Sequence, residues 1–297
     1  MKISIPWTLI LIAGLSAAFA SPGGTEGVDR RFGVDATVAE VDGLSMEIFS
    51  YRPSECAAPA VLVVFHGNGR GAESYRDSAR TVADRSCFTI YAPLFDEERF
   101  PSWRYHRAGV IDDGQLRDPE VWTIELVGDL IDWIRDREGA GAPIYLFGHS
   151  AGGQFLSRYA AYAEPRDVER IVLANPSTYV LPTTDEAAPY GFGGLPEGMD
   201  PDPLLQAYLA APVTVYLGSE DTGDESLTRN AQADRQGDDR LDRGRQTFDM
   251  AQAVADERGW TFGWSLIEAE GIGHTARGML ESPAILPALG FEGLRME

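Results

Sequence analysis

The sequence predicts an α/β protein: a mostly parallel, twisted sheet with helices on both faces, entered through an antiparallel hairpin near the N-terminal end. Three observations carry this. Short β-branched apolar runs (Val61–Phe65, Phe88–Ala92, Ile144–Phe147, Ile171–Ala174, Val213–Leu217 and Phe262–Ile267) alternate with stretches of helical periodicity, the pattern of strands buried on both faces. Two alternating stretches, Ala36–Val41 and Leu44–Tyr51, flank Asp42-Gly43, the two-residue signal of a tight hairpin. Finally, 297 residues, 44% hydrophobic, are enough to bury a large core in one domain.

In chain order, Met1–Ala20 reads as a cleavable signal peptide: Lys2, the apolar run Trp7–Leu15, then the small-x-small site Ala18-Phe19-Ala20 before Ser21. As a stable membrane anchor it falls short of the ~20 apolar residues a span needs, and Pro6 and Gly14 interrupt it. Ser21–Arg31 reads as a flexible leader and residues 32–297 as a single catalytic domain, so the expectation is a periplasmic or secreted protein. Export bears on Cys56 and Cys87, which stand just ahead of two neighbouring strands at one sheet edge. A disulfide between them is expected, contributing roughly 3–4 kcal/mol in the chain-entropy model.

Helices are expected over Ser74–Arg85, Val121–Arg135, Ala151–Tyr162 and Gly244–Arg258. Within the second, Ile124, Val127, Ile131 and Ile134 recur at helical spacing and form a core-facing stripe. The irregular segments Asn175–Pro212 and Gly218–Asp242 have neither the length nor the hydrophobicity of an independent cap, which predicts an open cleft. The second is acid-rich but lacks the Ca²⁺-loop pattern D-x-[DN]-x-[DN]-G-x₅-E, so it reads as a solvated face, and no metal or cofactor is expected.

The charge balance is 25 Lys+Arg against 46 Asp+Glu, a net −21. Nucleic-acid and anionic-membrane binding depend on cations that neutralise phosphate, so neither is an expected partner. Neutral or cationic substrates are favoured over polyanionic ones, with Arg104 and Arg107 as the residues placed to reverse the local sign.

The chemistry begins at Gly148-His149-Ser150-Ala151-Gly152, a G-x-S-x-G that follows the strand Ile144–Phe147 and opens a helix, the context in which that motif presents a nucleophile. A serine hydroxyl needs a base. In this chain order the acid and then the histidine follow the serine. His66 and His106 precede Ser150 and His149 adjoins it, which leaves His274, in Gly271-Ile272-Gly273-His274, as the base. The acid belongs at the end of a strand, where Gly218-Ser219-Glu220-Asp221 follows Val213–Leu217; Asp221 is the assignment, with Glu220 and Asp224 as local rivals. Two backbone N–H donors must meet the negative oxygen of a tetrahedral intermediate, and they are expected from Ala151 and from Asn68 in His66-Gly67-Asn68-Gly69. The Gly-rich stretch does not match a phosphate cradle, having neither G-x-x-x-x-G-K-[ST] nor G-x-G-x-x-G.

With these residues, and with Tyr51-Arg52-Pro53, Tyr75-Arg76-Asp77, Ala92-Pro93, the elbow Gly148 to Phe155 and Gly218-Ser219-Glu220-Asp221-Thr222, the chain resembles the α/β-hydrolase superfamily. Within it the resemblance is to the exported serine-esterase and polyhydroxyalkanoate-depolymerase-like branch. The resemblance implies an α/β-hydrolase fold, the triad Ser150, Asp221 and His274, and no cofactor. It departs from dedicated polymer depolymerases in lacking a separate substrate-binding domain. His149 and the loop aromatics Trp103, Tyr105 and Tyr179, with Tyr190 and Phe192, are further candidates for substrate contact. The function expected is hydrolysis of small-molecule or polymeric neutral carboxylic esters through an acyl-enzyme. An amidase or peptidase with the same triad, or a non-catalytic binding protein on this fold, are the competing readings.

Overall fold

Asp42 (φ 48°) and Gly43 (φ 70°) both take the left-handed backbone that a two-residue hairpin of matching twist requires. Gly33–Val41 (β1) accordingly pairs antiparallel with Leu44–Arg52 (β2), in register from Val41↔Leu44 to Gly33↔Arg52. The hairpin belongs to a computed structural model that describes residues 32–56, 59–163, 165 and 168–291. The segments read as signal peptide and leader, 1–20 and 21–31, lie outside the described residues.

Ala60–Phe65 (β3), Phe88–Pro93 (β4), Ile144–His149 (β5), Arg170–Ala174 (β6), Val213–Gly218 (β7) and Ser265–Ala269 (β8) complete an eight-stranded sheet in the order β1-β2-β4-β3-β5-β6-β7-β8. β2 meets β4 antiparallel, and every pairing beyond it is parallel. The two-residue side-chain period divides each strand beyond β1 between two cores, while one face of β1 is exposed. Val61, Val63 and Phe65 join the layer of Ile124, Val127, Ile131 and Ile134, and of Phe155 and Tyr159 from the helix Ala151–Tyr162. Leu62 and Val64 join Ala72, Val82 and Met279 on the other face. The stripe expected on the helix after Val121 is fully buried, although the helix itself runs Glu125–Glu138.

Several boundaries differ for identifiable reasons. The helix expected over Ser74–Arg85 is two, Ala72–Ser78 and Arg80–Ser86, joined at Ala79. The helix expected from Gly244 starts at Arg240, because the Asp239 side chain caps it by accepting from the Asp242 amide at 2.8 Å. A helix Pro201–Ala210 stands inside the segment read as irregular; Asp200 accepts from the Asp202 amide and Pro201 occupies the first turn. The last strand starts later than Phe262, since Phe262 and Trp264 stack on each other and the Trp264 indole donates to the Tyr208 carbonyl at 2.9 Å.

The disulfide is corrected. Cys56 and Cys87 are free thiols. The parallel register Ala60↔Phe88 brings them to one sheet edge, as their positions imply. Burial first, then the neighbouring Cys87 side chain, pushes the Cys56 thiol up to about 11. Shared sheet-edge position supplies proximity, but a bond also needs its own sulfur geometry. Among the described residues, no helix is long and apolar enough to cross a membrane.

Candidate active site

The turn between β5 and the helix Ala151–Tyr162 is built by close packing. Gly148 has no room for a Cβ, which would fall 2.3 Å from the Gly152 carbonyl oxygen, and a Cβ on Gly152 would fall 2.4 Å from that of Phe65. The glycines two before and two after the serine thus let three backbone segments touch. Ser150 between them is forced to φ 57°, ψ −113°, a conformation that costs a non-glycine residue on the order of 1–3 kcal/mol. Its amide is anchored to the Ala174 carbonyl at 2.9 Å. The hydroxyl stands at the C-terminal edge of the sheet, at the N-terminal end of a 12-residue helix whose first N–H groups have no carbonyl a turn behind them.

His274 arrives on the loop after β8, and that loop is zipped to the one after β7. Ser219 N–H donates to the Ala269 carbonyl, Glu220 N–H to the Ile272 carbonyl, and Gly271 N–H to the Ser219 hydroxyl at 2.8 Å. The consequence is a continuous chain of polar contacts: Ser150 Oγ to His274 Nε2 at 3.0 Å, and His274 Nδ1 to Asp221 Oδ2 at 2.7 Å. Asp221, 2% exposed, is the buried carboxylate of its loop. Glu220 and Asp224 face solvent and make no such contact.

Two contributors to this arrangement were not legible as such. Arg240, the first residue of its helix, is buried with Nη1 at 3.5 Å from Asp221 Oδ1, and it donates to the Glu225 carbonyl at 2.7 Å. It supplies the counter-charge that a buried carboxylate needs. Its signal was an arginine directly after the capping Asp239, inside a segment read only as acidic. Asn175, at φ 46° after β6, accepts from Gly218 N–H at 2.8 Å through its side-chain oxygen and so ties β6 to the end of β7. An Asn at a strand end, where it tolerates left-handed backbone, was the available hint.

A cleft of about 680 Å³ opens over Ser150, His274 and Asp221, lined among others by Gly67, Asn68, Tyr75, His149, Glu225 and Arg277. The loop after β3 passes directly over the serine, since a Cβ on Gly67 would lie 3.6 Å from Ser150 Cβ. Asn68 therefore sits beside Ser150, and Ala151 follows it in the chain. His149 also faces the cleft, with its ring centroid 4.8 Å from that of His274. The aromatic candidates do not. Tyr105 is wholly buried and donates to the His66 carbonyl at 2.8 Å; Tyr179, Tyr190 and Phe192 are core residues; Trp103 is half-buried away from the cleft under the Arg104 guanidinium. They pack the loops, because a ring gains more from burial than an open polar cleft returns. Arg104 is occupied with the rings of Phe100 and Trp103 and the Arg99 carbonyl, and neither it nor Arg107 lines the cleft. Among the described residues, no group of three or more His, Cys, Asp or Glu side chains is placed to hold a metal ion.

The other histidines are kept neutral by burial. His66 accepts from Phe95 N–H through Nε2 and meets the Gly67 carbonyl through Nδ1, and burial drives it down to about 4. His106 is likewise pushed to about 4 by burial, then by Arg70 and Arg107, and His149 falls well below its ordinary value, first through burial. The unfolded chain binds protons at His66 and His106 below the ordinary histidine value of 6.5, whereas at these two sites the folded chain refuses them down to about 4. Stability is therefore complete above about 6.5 and is lost as the pH falls toward 4, by about 2 kcal/mol per buried imidazole at pH 5. Urea midpoints at pH 7 and pH 5 are expected to show that loss; equal midpoints would mean these rings are protonated in the fold.

A profile of the α/β-hydrolase fold family matches residues 60–213. Among solved structures, a poly(3-hydroxybutyrate) depolymerase of Bordetella parapertussis is similar at 32% identity and a TM-score of 0.80, over 90% of this chain and 93% of that one. Poly(aspartic acid) hydrolase-1 of Sphingomonas sp. KT-1 is similar at 30% identity and a TM-score of 0.75, over 84% of this chain and 96% of that one. A curated Mycoplasma pneumoniae protein named "Putative esterase/lipase 3" is 27% identical over 139 residues, 47% of this chain and 44% of that protein, so the match spans less than half of that relative's length.

Proposed function

The chain belongs to the α/β-hydrolase family, and on that premise we propose that it is a serine esterase that cleaves neutral carboxylic esters, small or polymeric, through an acyl-enzyme. The single observation that carries the reading is the contact chain from Ser150 Oγ through His274 to Asp221, at 3.0 and 2.7 Å. In this mechanism Ser150 Oγ attacks the ester carbonyl carbon as His274 Nε2 takes its proton. Asp221 accepts from Nδ1–H and stabilises the imidazolium. The carbonyl oxygen, now negative, is met by the backbone N–H groups of Asn68 and Ala151. Collapse breaks the bond to the alcohol oxygen, which leaves with the proton from His274. Water then attacks the acyl-Ser150 by the same route and releases the acid. The leader pattern Met1–Ala20 supports export of the domain 32–297.

A hydrolysis panel of p-nitrophenyl esters from acetate to palmitate, with an anilide of matched acyl group, tests this reading. Ester turnover far above anilide turnover is expected, and the reverse order makes the protein an amidase. The amidase reading has one observation in its favour: a relative at 30% identity is named for hydrolysing poly(aspartic acid), a polyamide. Against that polyanion stands the charge of the cleft. Glu220 and Glu225 are exposed on its wall, Arg277 is its exposed cation, and Arg240 is buried against Asp221, in a chain of net −21. At low ionic strength kcat/KM for a neutral ester should change little with added salt, while that for a matched carboxylate-bearing ester starts lower and rises as screening sets in. A preference for the anionic ester that salt abolishes would mean the cleft is basic where substrate lies.

A further inference from the structure

The ester mechanism leaves Tyr75 without a role, although it lines the cleft. It stands in the helix Ala72–Ser78 that follows the Gly67–Gly71 loop. Its hydroxyl oxygen lies 3.0 Å from His149 Nδ1. The same oxygen rests against Gly67 so closely that a Cβ there would fall 2.6 Å from it. Burial pushes the phenol up to about 12, with the Gly67 backbone opposing, so it is a neutral O–H at ordinary pH. His149 is 3% exposed, and its Nε2 has no protein partner. The Nδ1 contact is thus the polar contact that orients this ring beneath His274.

The sequence positions give these contacts their meaning. Gly67 directly precedes Asn68, and His149 directly precedes Ser150-Ala151, so one hydroxyl touches both segments that carry the N–H groups assigned to the oxyanion. We infer that Tyr75 is a positioning residue, whose hydroxyl clamps the Gly67-Asn68 loop to the His149-Ser150 turn and thereby fixes the spacing of the two amide donors and the tautomer of His149. The amide roles rest on the esterase reading; the clamp itself rests on the contacts. Because the oxyanion exists only at the tetrahedral stage, a slack pair of donors weakens the transition state and leaves ground-state binding almost unchanged.

Tyr75→Phe keeps the ring and removes the one oxygen. The expected result is a kcat lower by about 10- to 100-fold with KM within about threefold. Affinity for an alkylboronic acid, a tetrahedral mimic, should fall by the same factor as kcat/KM. In ¹⁵N-histidine spectra His149 should be locked in one tautomer in wild-type protein and released from it in Tyr75→Phe. The wild-type spectrum needs no variant, so a poorly folding Tyr75→Phe does not spare the proposal: His149 exchanging freely between tautomers in wild-type protein overturns it. So does a kcat within about twofold of wild type, or a loss confined to KM. Wild-type protein that turns over no ester brings down the esterase reading instead, whereas an active wild type matched by Tyr75→Phe brings down the clamp alone.

Discussion

Ser150→Ala is expected to lower kcat for a neutral p-nitrophenyl ester by about 10⁵- to 10⁶-fold, and His274→Ala by a similar factor, with thermal unfolding close to wild type. The double variant should be little worse than either single one. The reason is chemical: without the imidazole 3.0 Å away, Ser150 carries a hydroxyl with no base, and without the hydroxyl the imidazole has nothing to activate. The fold should survive, since His274 is on an exposed loop whose backbone is held by Ser219 and Glu220 rather than by its own ring. Steady-state kinetics on protein purified free of host esterases, with circular dichroism melts alongside, checks both halves. Substantial turnover by Ser150→Ala would remove the serine from the mechanism.

The second large effect is at the acid. Asp221→Asn should cost about 10⁴-fold in kcat, because an amide facing His274 Nδ1 no longer selects the tautomer that leaves Nε2 free to accept a proton. Glu220→Gln and Asp224→Asn should stay within about threefold, both side chains being solvated. Asp221→Asn carries a further signature. It leaves the buried Arg240 guanidinium without the carboxylate 3.5 Å away, and loss of one partner from a buried pair costs on the order of 3–5 kcal/mol. The variant should therefore melt earlier as well as turn over slowly, and its kinetics should be read well below its melting temperature. If Glu220→Gln proved the slowest of the three, the acid would be one residue from its assigned place.

How much of this was legible depended on the range of the interactions involved. The sheet strands and the stripe Ile124, Val127, Ile131 and Ile134 were readable, because periodicity reports a neighbouring apolar layer directly. So was the meeting of Ser150, His274 and Asp221 in one contact chain, since G-x-S-x-G in a strand-turn-helix context leaves few eligible partners downstream. The missed helix Pro201–Ala210 was signalled by Asp200-Pro201 but lay in a Pro- and Gly-rich segment that masked it. Arg240, Asn175 and Tyr75 act through contacts between segments far apart in sequence, with Arg240 19 residues from Asp221 and Tyr75 74 from His149; no local pattern encodes such pairs. The aromatic residues failed in the opposite direction. Composition placed rings on loops near the sheet edge, but whether a ring faces the cleft or the core is decided by packing, and Tyr105 and Tyr179 are wholly buried.

Central to the account is an activated nucleophile at Ser150, and a fluorophosphonate probe read by intact-mass and peptide mass spectrometry tests it most directly. The reagent's electrophilic phosphorus mimics the ester carbonyl and captures a serine only when a base removes its proton. One equivalent per chain is expected, mapped to the peptide containing Ser150, with labelling slowed by orders of magnitude in His274→Ala. A protein that hydrolyses esters yet takes no label, or takes it on another serine, would contradict the account.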